Sequence, residues 1–236
     1  MAGVVPNDHS RQIAAEYYVD HLVAAGDRVL DVGCGPGASA DLFLKASPTA
    51  HYIGADLEWS PAIEQRRRID VEFITFDGVH LPLEDGSVDG AFSKQVFEHV
   101  RHPQDLLADI VRVLRPGGLF AGSTSQLEPY HSLSFWNYTP HGLRVLFEAA
   151  GLEVLELRPG IDSVALIGLR ALELMPARLS GQVHPRLANR WWRVESPVNR
   201  LIELRGRMQR MQAEEINLAK LLLAGQIAFL ARRPDS

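Results

Sequence analysis

Apolar positions recur along this chain in two alternating rhythms. Short runs bounded by turn residues lie at 28–33 (RVLDVG), 51–57 (HYIGADL), 71–77 (VEFITFD), 87–95 (SVDGAFSKQ), 118–125 (GLFAGSTS), 152–159 (LEVLELRP) and 225–233 (GQIAFLARR). Runs this short and this apolar read as strands of a sheet covered on both faces. Between them, residues 8–25, 38–46, 103–114 and 139–149 carry apolar side chains at helical spacing. Ser47-Pro48 closes the second of these, Pro103 opens the third in a favoured first-turn place, Thr139 or Pro140 starts the fourth, and Gly151 can cap it. Arg115-Pro116-Gly117-Gly118 is a turn signal. Strands alternating with helices predict an α/β, doubly wound, mostly parallel sheet.

The last third breaks the rhythm. About sixty residues without a strand signal separate the runs at 152–159 and 225–233. The expected organisation is one domain formed by 1–159 with 224–236, and a helical insert over 160–223. The insert contains the stretch ANRWWRVESPVNR and a long periodic helix with Leu201, Leu204, Met208 and Met211 on one stripe. Residues 171–223 hold nine Lys/Arg against five Glu. Three readings fit: an acceptor lid in which Trp191 and Trp192 offer ring faces, a homodimer contact through the stripe, or packing on the host domain. Glu195, Glu203, Glu214 and Glu215 interrupt the basic face and count against a peripheral membrane role.

Composition narrows the classes. A net charge of −5 gives no global attraction to nucleic acid. The single cysteine, Cys34, excludes an internal disulfide framework and a cysteine-rich zinc site, and reads as a small packing residue. MAGVVPNDHSRQ carries no basic or long apolar leader, and LAKLLLAGQIAFLA (218–231) is too short and interrupted to span a bilayer. The expectation is a cytoplasmic protein without stable membrane insertion.

The chemistry starts at GDRVLDVGCGPG (26–37). Gly33, Gly35 and Gly37 remove side chains where the first strand turns, as an adenosine cofactor that needs a close approach of the protein backbone requires. Asp31 sits at the strand end. Asp56 follows Gly33 by 23 positions, the distance at which such folds place a ribose-binding carboxylate. The spacing is G-x-G-x-G with Ala38 next, rather than the dinucleotide G-x-G-x-x-G. A nicotinamide-dependent oxidoreductase and a non-catalytic nucleotide-binding module remain as alternatives.

VLDVGCGPG, GADL, FDGVHLPLEDGSVDGAF, FEHVRHPQDLLADIVRVLRPGG and YTPHGLRVLFEAAGLEV together resemble the class I S-adenosylmethionine-dependent methyltransferases, the broad group that acts on small molecules, quinones and sugars. The resemblance covers roughly residues 25–158, with the last strand closing the pattern. It implies a seven-stranded sheet whose seventh strand is antiparallel and inserted beside the fifth. It implies S-adenosylmethionine as the cofactor, with Gly33, Gly35 and Gly37 at its methionine part, Asp56 on the ribose and Leu57 on the adenine. It also places Asp77, with Gly78, at the adenine amino group, and Ser93, Lys94 and Gln95 along the methyl-transfer pocket.

Methyl transfer is an in-line displacement that depends mainly on positioning, and a hydroxyl acceptor also needs a base. Three histidines fall where strand ends meet the pocket: His131 in the strand-five loop, His99 after strand four and His141 at the next helix start. Tyr130, Trp136 and Tyr138 make that loop polar and aromatic, suited to a small-molecule or carbohydrate-like acceptor. No compact Asp/Glu/His signature indicates a divalent metal. The expected reaction is O-methylation of such an acceptor, with a quinone, lipid or secondary metabolite as the alternative.

Overall fold

The computed structural model describes residues 1, 3–23, 27–60, 63–129, 133–174 and 195–235. The apolar runs become seven strands: β1 (Arg28–Val32), β2 (His51–Leu57), β3 (Glu72–Phe76), β4 (Val88–Lys94), β5 (Leu114–Ser125), β6 (Glu153–Pro159) and β7 (Gln226–Arg232). They form one sheet in the order β3-β2-β1-β4-β5-β7-β6. All pairings are parallel except those of β7, which runs antiparallel to both β5 and β6. The expected seventh strand beside the fifth is therefore present. The Arg115–Gly118 turn lies within β5 as a bulge, because Val88 and Gly90 of β4 face Leu114 and Leu119.

Successive strand residues point to opposite faces, and this builds two cores. Leu30, Ile53, Phe120 and Phe229 face α3 (Pro103–Val113) and α4 (Pro140–Ala149), packing on Leu106, Ile110, Leu143 and Phe147. Their neighbours Val29, Tyr52, Ala121 and Leu230 join the other cluster with Tyr18, Leu22 and Phe43, from a 3-10 turn (Ala15–Tyr18), α1 (Val19–Leu22) and α2 (Ala40–Ala46). Thr139 caps α4 by accepting from Gly142 N at 3.0 Å, and Gly151 follows the helix at φ +88°.

Two expected helices come out differently. Residues 8–14 are a strap with no helix, so the helix expected over 8–25 is reduced to the 3-10 turn and α1. Long-range partners outweigh the local periodicity here. Asp8 pairs at 2.8 Å with the buried Arg158 of β6, and Ile13 N donates to Pro159 O at 3.0 Å. Asn217 Nδ2 donates to the carbonyls of Pro6 and His9, and Asn199 Nδ2 to Gln12 Oε1.

The long helix expected through Met211 stops at Met208. After α5 (Ser163–Leu174), the described chain resumes with α6 (Pro197–Met208) and α7 (Ala213–Leu221). Arg210 adopts φ +56°, and Met211 N donates back to Gly206 O at 2.9 Å, which ends α6. A Cβ on Gly206 would lie 2.6 Å from Ile216 Cγ1, so α7 folds tightly against α6. Leu201, Leu204 and Met208 are exposed, which overturns the reading that this stripe packs on the host domain.

Candidate functional site

The strand order reverses between β1 and β4, so β2 and β5 lead away to opposite sides and leave a crevice at the carboxyl ends of the central pair. The glycine turn occupies it. Gly33, Gly35 and Gly37 have φ of +74°, +56° and +86°, a region that side-chain-bearing residues enter at a cost. A Cβ on Gly33 would lie 2.3 Å from Val96 Cγ2, and one on Gly37 would lie 2.6 Å from the Phe73 ring. The turn's own amides are committed. Gly33 N and Cys34 N donate to Ala55 O, Gly35 N to Asp56 Oδ2 and Gly37 N to Cys34 O. The turn therefore offers a shaped backbone surface more than a set of unspent donors.

Asp56 fixes that shape. Its two oxygens accept from Gly35 N and Leu57 N, each at 2.8 Å, which ties the end of β2 to the turn. Behind it, the buried Asp31 accepts from Tyr52 Oη at 2.6 Å, and burial pushes its carboxyl up to about 7. Asp77 is exposed and caps its own loop, accepting from Val79 N at 2.8 Å and His80 N at 2.7 Å, with His80 Nδ1 2.9 Å away. The His80 side-chain contact, with the two amides, holds the Asp77 carboxyl well below the ordinary carboxylate range. Gly78, at φ +97°, packs on the half-buried Leu57. Arg66 escaped the sequence reading. It donates to Gly35 O at 3.2 Å and lies 4.4 Å over the Phe73 ring, yet within the run RRR it had no local mark.

At the exit of β4, the Ser93 hydroxyl is fully buried and has no partner among the described residues. Lys94 reaches Glu16 of the 3-10 turn. Gln95 adopts φ +55°, rare for a residue with a Cβ and a sign of local strain, with its N–H on Ser123 O at 2.9 Å. Beyond it two buried carboxylates meet. Ser125 Oγ lies 3.2 Å from Glu98 Oε1 and 2.6 Å from Glu128 Oε2, and Thr124 Oγ1 donates to Glu98 Oε2 at 2.9 Å. Arg170 of α5 pairs with Glu128 at 2.6 Å. Burial, with Glu128 nearby, raises the Glu98 carboxyl above its ordinary value. Sequence reading noted Glu98 only beside His99. Glu128 and Arg170 gave no signal, because 42 residues separate the partners.

The histidines and aromatics part company. His99 is half-buried in a 3-10 turn (Phe97–His99), three residues after the Val96 that packs on Gly33. His141 is exposed in the first turn of α4. Trp136 is partly exposed with Nε1 donating to Val100 O at 2.9 Å, and the Tyr138 hydroxyl donates to Phe97 O at 3.0 Å. Tyr130, His131, Trp191 and Trp192 lie outside the described residues. A cavity of about 710 Å³ opens between the strap and α6, lined by Arg11, Gln12, Glu16, Tyr17, Glu195 and Arg200 among others. Glu16, through Lys94, joins its wall to the end of β4. Among the described residues no group of three or more His, Cys, Asp or Glu is placed to hold a metal, and no helix is long and apolar enough to cross a membrane.

A sheet in this order, with an antiparallel seventh strand beside the fifth and a glycine turn at the point of reversal, defines the class: the Rossmann-like methyltransferase fold. Residues 30–122 match the family model described as a methyltransferase domain. A probable S-adenosylmethionine-dependent methyltransferase of Mycolicibacterium smegmatis is 34% identical over 142 residues, covering 55% of this chain and 53% of that protein. Phthiotriol/phenolphthiotriol dimycocerosates methyltransferase 1 of Mycobacterium ulcerans is 33% identical over 119 residues, covering 49% and 43%. The chain thus spans about half the length of these curated relatives, or less. An S-adenosylmethionine-dependent methyltransferase from Mesorhizobium loti superposes with a TM-score of 0.55 over 93% of this chain and 98% of its own at 16% identity, a likeness of fold. Residues 30–122 thus match a methyltransferase domain, and the sheet around them has the fold of such domains.

Proposed function

We propose that the protein methylates a hydroxyl of a small, largely apolar acceptor, with S-adenosylmethionine as methyl donor. The observation that carries this reading is the juxtaposition at the strand-order reversal: a glycine-rich turn at positive φ beside β4, and a cavity joined to β4 through Glu16 and Lys94. The residues suit the cofactor. Gly33, Gly35 and Gly37 take positive φ values that let the backbone of the turn approach a ligand closely, and Asp56 retains lone pairs for ribose hydroxyls after accepting two amides. Leu57 gives the adenine an apolar face, and Asp77 with Gly78 takes its polar edge. Ser93, Lys94 and Gln95 line the transfer pocket. S-adenosylmethionine, when bound, supplies a methyl group activated by its sulfonium.

The rest falls to this chain. The strap and α6 shield the acceptor from water, and Tyr17 offers it a ring. A histidine takes the hydroxyl proton on an imidazole nitrogen, with His99 or His131 as the base and His141 third because of its exposure. The relative named for phthiotriol dimycocerosates supports an apolar acceptor bearing hydroxyls over a sugar. A cytoplasmic setting belongs to the same reading.

Thermal melts with S-adenosylhomocysteine and with NAD test the core of it. Stabilisation by the first is expected, lost in Asp56→Ala; stabilisation by NAD alone overturns the reading. With labelled cofactor and hydroxyl-bearing lipids, His99→Ala and His131→Ala should separate, one losing about a hundredfold or more in turnover while still binding cofactor. Full turnover in both removes the histidine base.

A further inference from the structure

We infer that α6 is a docking face for an anionic bilayer surface. Two of the four acids that argue against this in the sequence are drawn inward by Lys220. Glu203 accepts from Ser10 Oγ at 2.9 Å and pairs with the buried Lys220 at 2.9 Å, and Glu195 pairs with Lys220 at 2.7 Å. The other two, Glu214 and the exposed Glu215, lie on α7 and not on α6, and Glu215 accepts from Gln212 N at 2.7 Å in the capping box.

The outward side of α6 is left apolar and cationic. Leu201, Leu204 and Met208 stand at helical spacing and are 63%, 56% and 77% exposed. Arg200, Arg205 and Arg210 are exposed on the same helix and the turn after it, and none forms an ion pair with a described residue. An apolar ridge flanked by unpaired arginines is the chemistry that inserts side chains between headgroups while its charges meet lipid phosphates. The rest of the protein leans the other way, since the whole chain carries −5. This patch therefore turns one side of an acidic molecule toward a negative surface.

A second copy of the chain fits this face less well. A two-fold contact would set the same arginines against each other with no exposed carboxylate on α6 to answer them. The face also borders the cavity, because Arg200 belongs to both. A bilayer-held acceptor would then lie beside the proposed site. That last link rests on the methyl-transfer reading, but the docking does not.

Co-sedimentation of the full chain with vesicles decides it. One set is phosphatidylcholine alone, and the other is phosphatidylcholine with about one third phosphatidylglycerol. Binding to the anionic vesicles only, weakened by salt, is expected. Arg205→Gln with Arg210→Gln should weaken it roughly thirtyfold, about one kilocalorie-scale contact per charge. Leu204→Glu with Met208→Glu should abolish it. Both variants are read beside their thermal shift with S-adenosylhomocysteine, which reports an intact fold and site. Equal binding to both vesicle types, binding to neither, or undiminished binding by either variant overturns the inference. So does a dimer in light scattering that Leu204→Glu with Met208→Glu dissolves while vesicles recover no protein. A wild type that ignores S-adenosylhomocysteine yet sediments with anionic vesicles refutes the methyl-transfer reading alone.

Discussion

At the scale of single residues, the glycine turn and Asp31 make opposite demands on the chain. Gly33→Ala meets both a positive φ and a Val96 methyl 2.3 Å from the new Cβ. The expected result is a loss of about 1–3 kcal/mol with loss of the S-adenosylhomocysteine shift, measured in the same melt. Gly33→Ala with Val96→Ala should recover part of the stability, because the two clashing methyls are gone while the dihedral strain and a 3.2 Å contact with the residue 96 Cβ remain. Asp31 carries a pH dependence. Its carboxyl stands at 3.8 in the unfolded chain and about 7 when folded, so folding favours its protonated form. Its stabilising contribution is complete below the unfolded value and is lost as pH rises through the folded one. The stability of the wild type against denaturant should therefore fall between about pH 4 and 7, by on the order of 2–4 kcal/mol from this group. Asp31→Asn should flatten that slope, and an unchanged slope would remove Asp31 as its source. The tight turn at the glycines was legible because its positive φ is a local demand, and Asp56 stood out as an acid at a strand end, though its bond to Gly35, 21 residues away, did not. Arg66 and the Glu98–Glu128 pair were not legible, because each gains its role from a residue far along the chain.

At the scale of elements, local pattern succeeded wherever the sheet imposed it. A strand covered on both faces needs an uninterrupted apolar run, and β2 occupies the seven residues that the run HYIGADL marked. Patterning failed where an element's length is set by what packs on it. The stripe from Leu201 to Met211 has a helical period, but Gly206 lets Ile216 approach and the chain reverses at Arg210. Gly206→Leu should force α6 and α7 apart. The expected signature is faster amide exchange in both helices at unchanged protection of β1 and β4, and a stability loss of about 1–3 kcal/mol. Exchange that rises evenly over the chain would make the α6–α7 pair no separate unit. Arg210→Gly belongs beside it: glycine suits φ +56°, so this variant should gain about 0.5–1 kcal/mol by the same melt.

At the scale of the whole molecule, the strap of residues 8–14 and the last two helices are bonded to each other although some two hundred residues separate them. Lys220 is the pin. Its ammonium, 1% exposed, donates to Ser10 O at 2.9 Å and faces Glu195 at 2.7 Å and Glu203 at 2.9 Å. Burial alone would push the Glu203 carboxyl up, but the hydrogen bonds from Lys220 and Ser10 outweigh it and leave that carboxyl below its ordinary value. Lys220→Met keeps the length and removes the charge, so two carboxylates face each other without their cation. Removing one partner of a buried ion pair costs about 3 kcal/mol or more, and without Lys220 the burial that raises the Glu203 carboxyl is no longer offset, so the loss should be larger at neutral than at acid pH. The strap should loosen first, since its amides depend on these contacts and those of β1 do not. Hydrogen exchange at Ile13, whose N–H donates to Pro159 O, should therefore rise well beyond the change in global stability, while Leu30 follows the global value. Equal acceleration at both positions would mean that Lys220 supports the molecule as a whole and that the strap has no separate hold on the cavity beneath it.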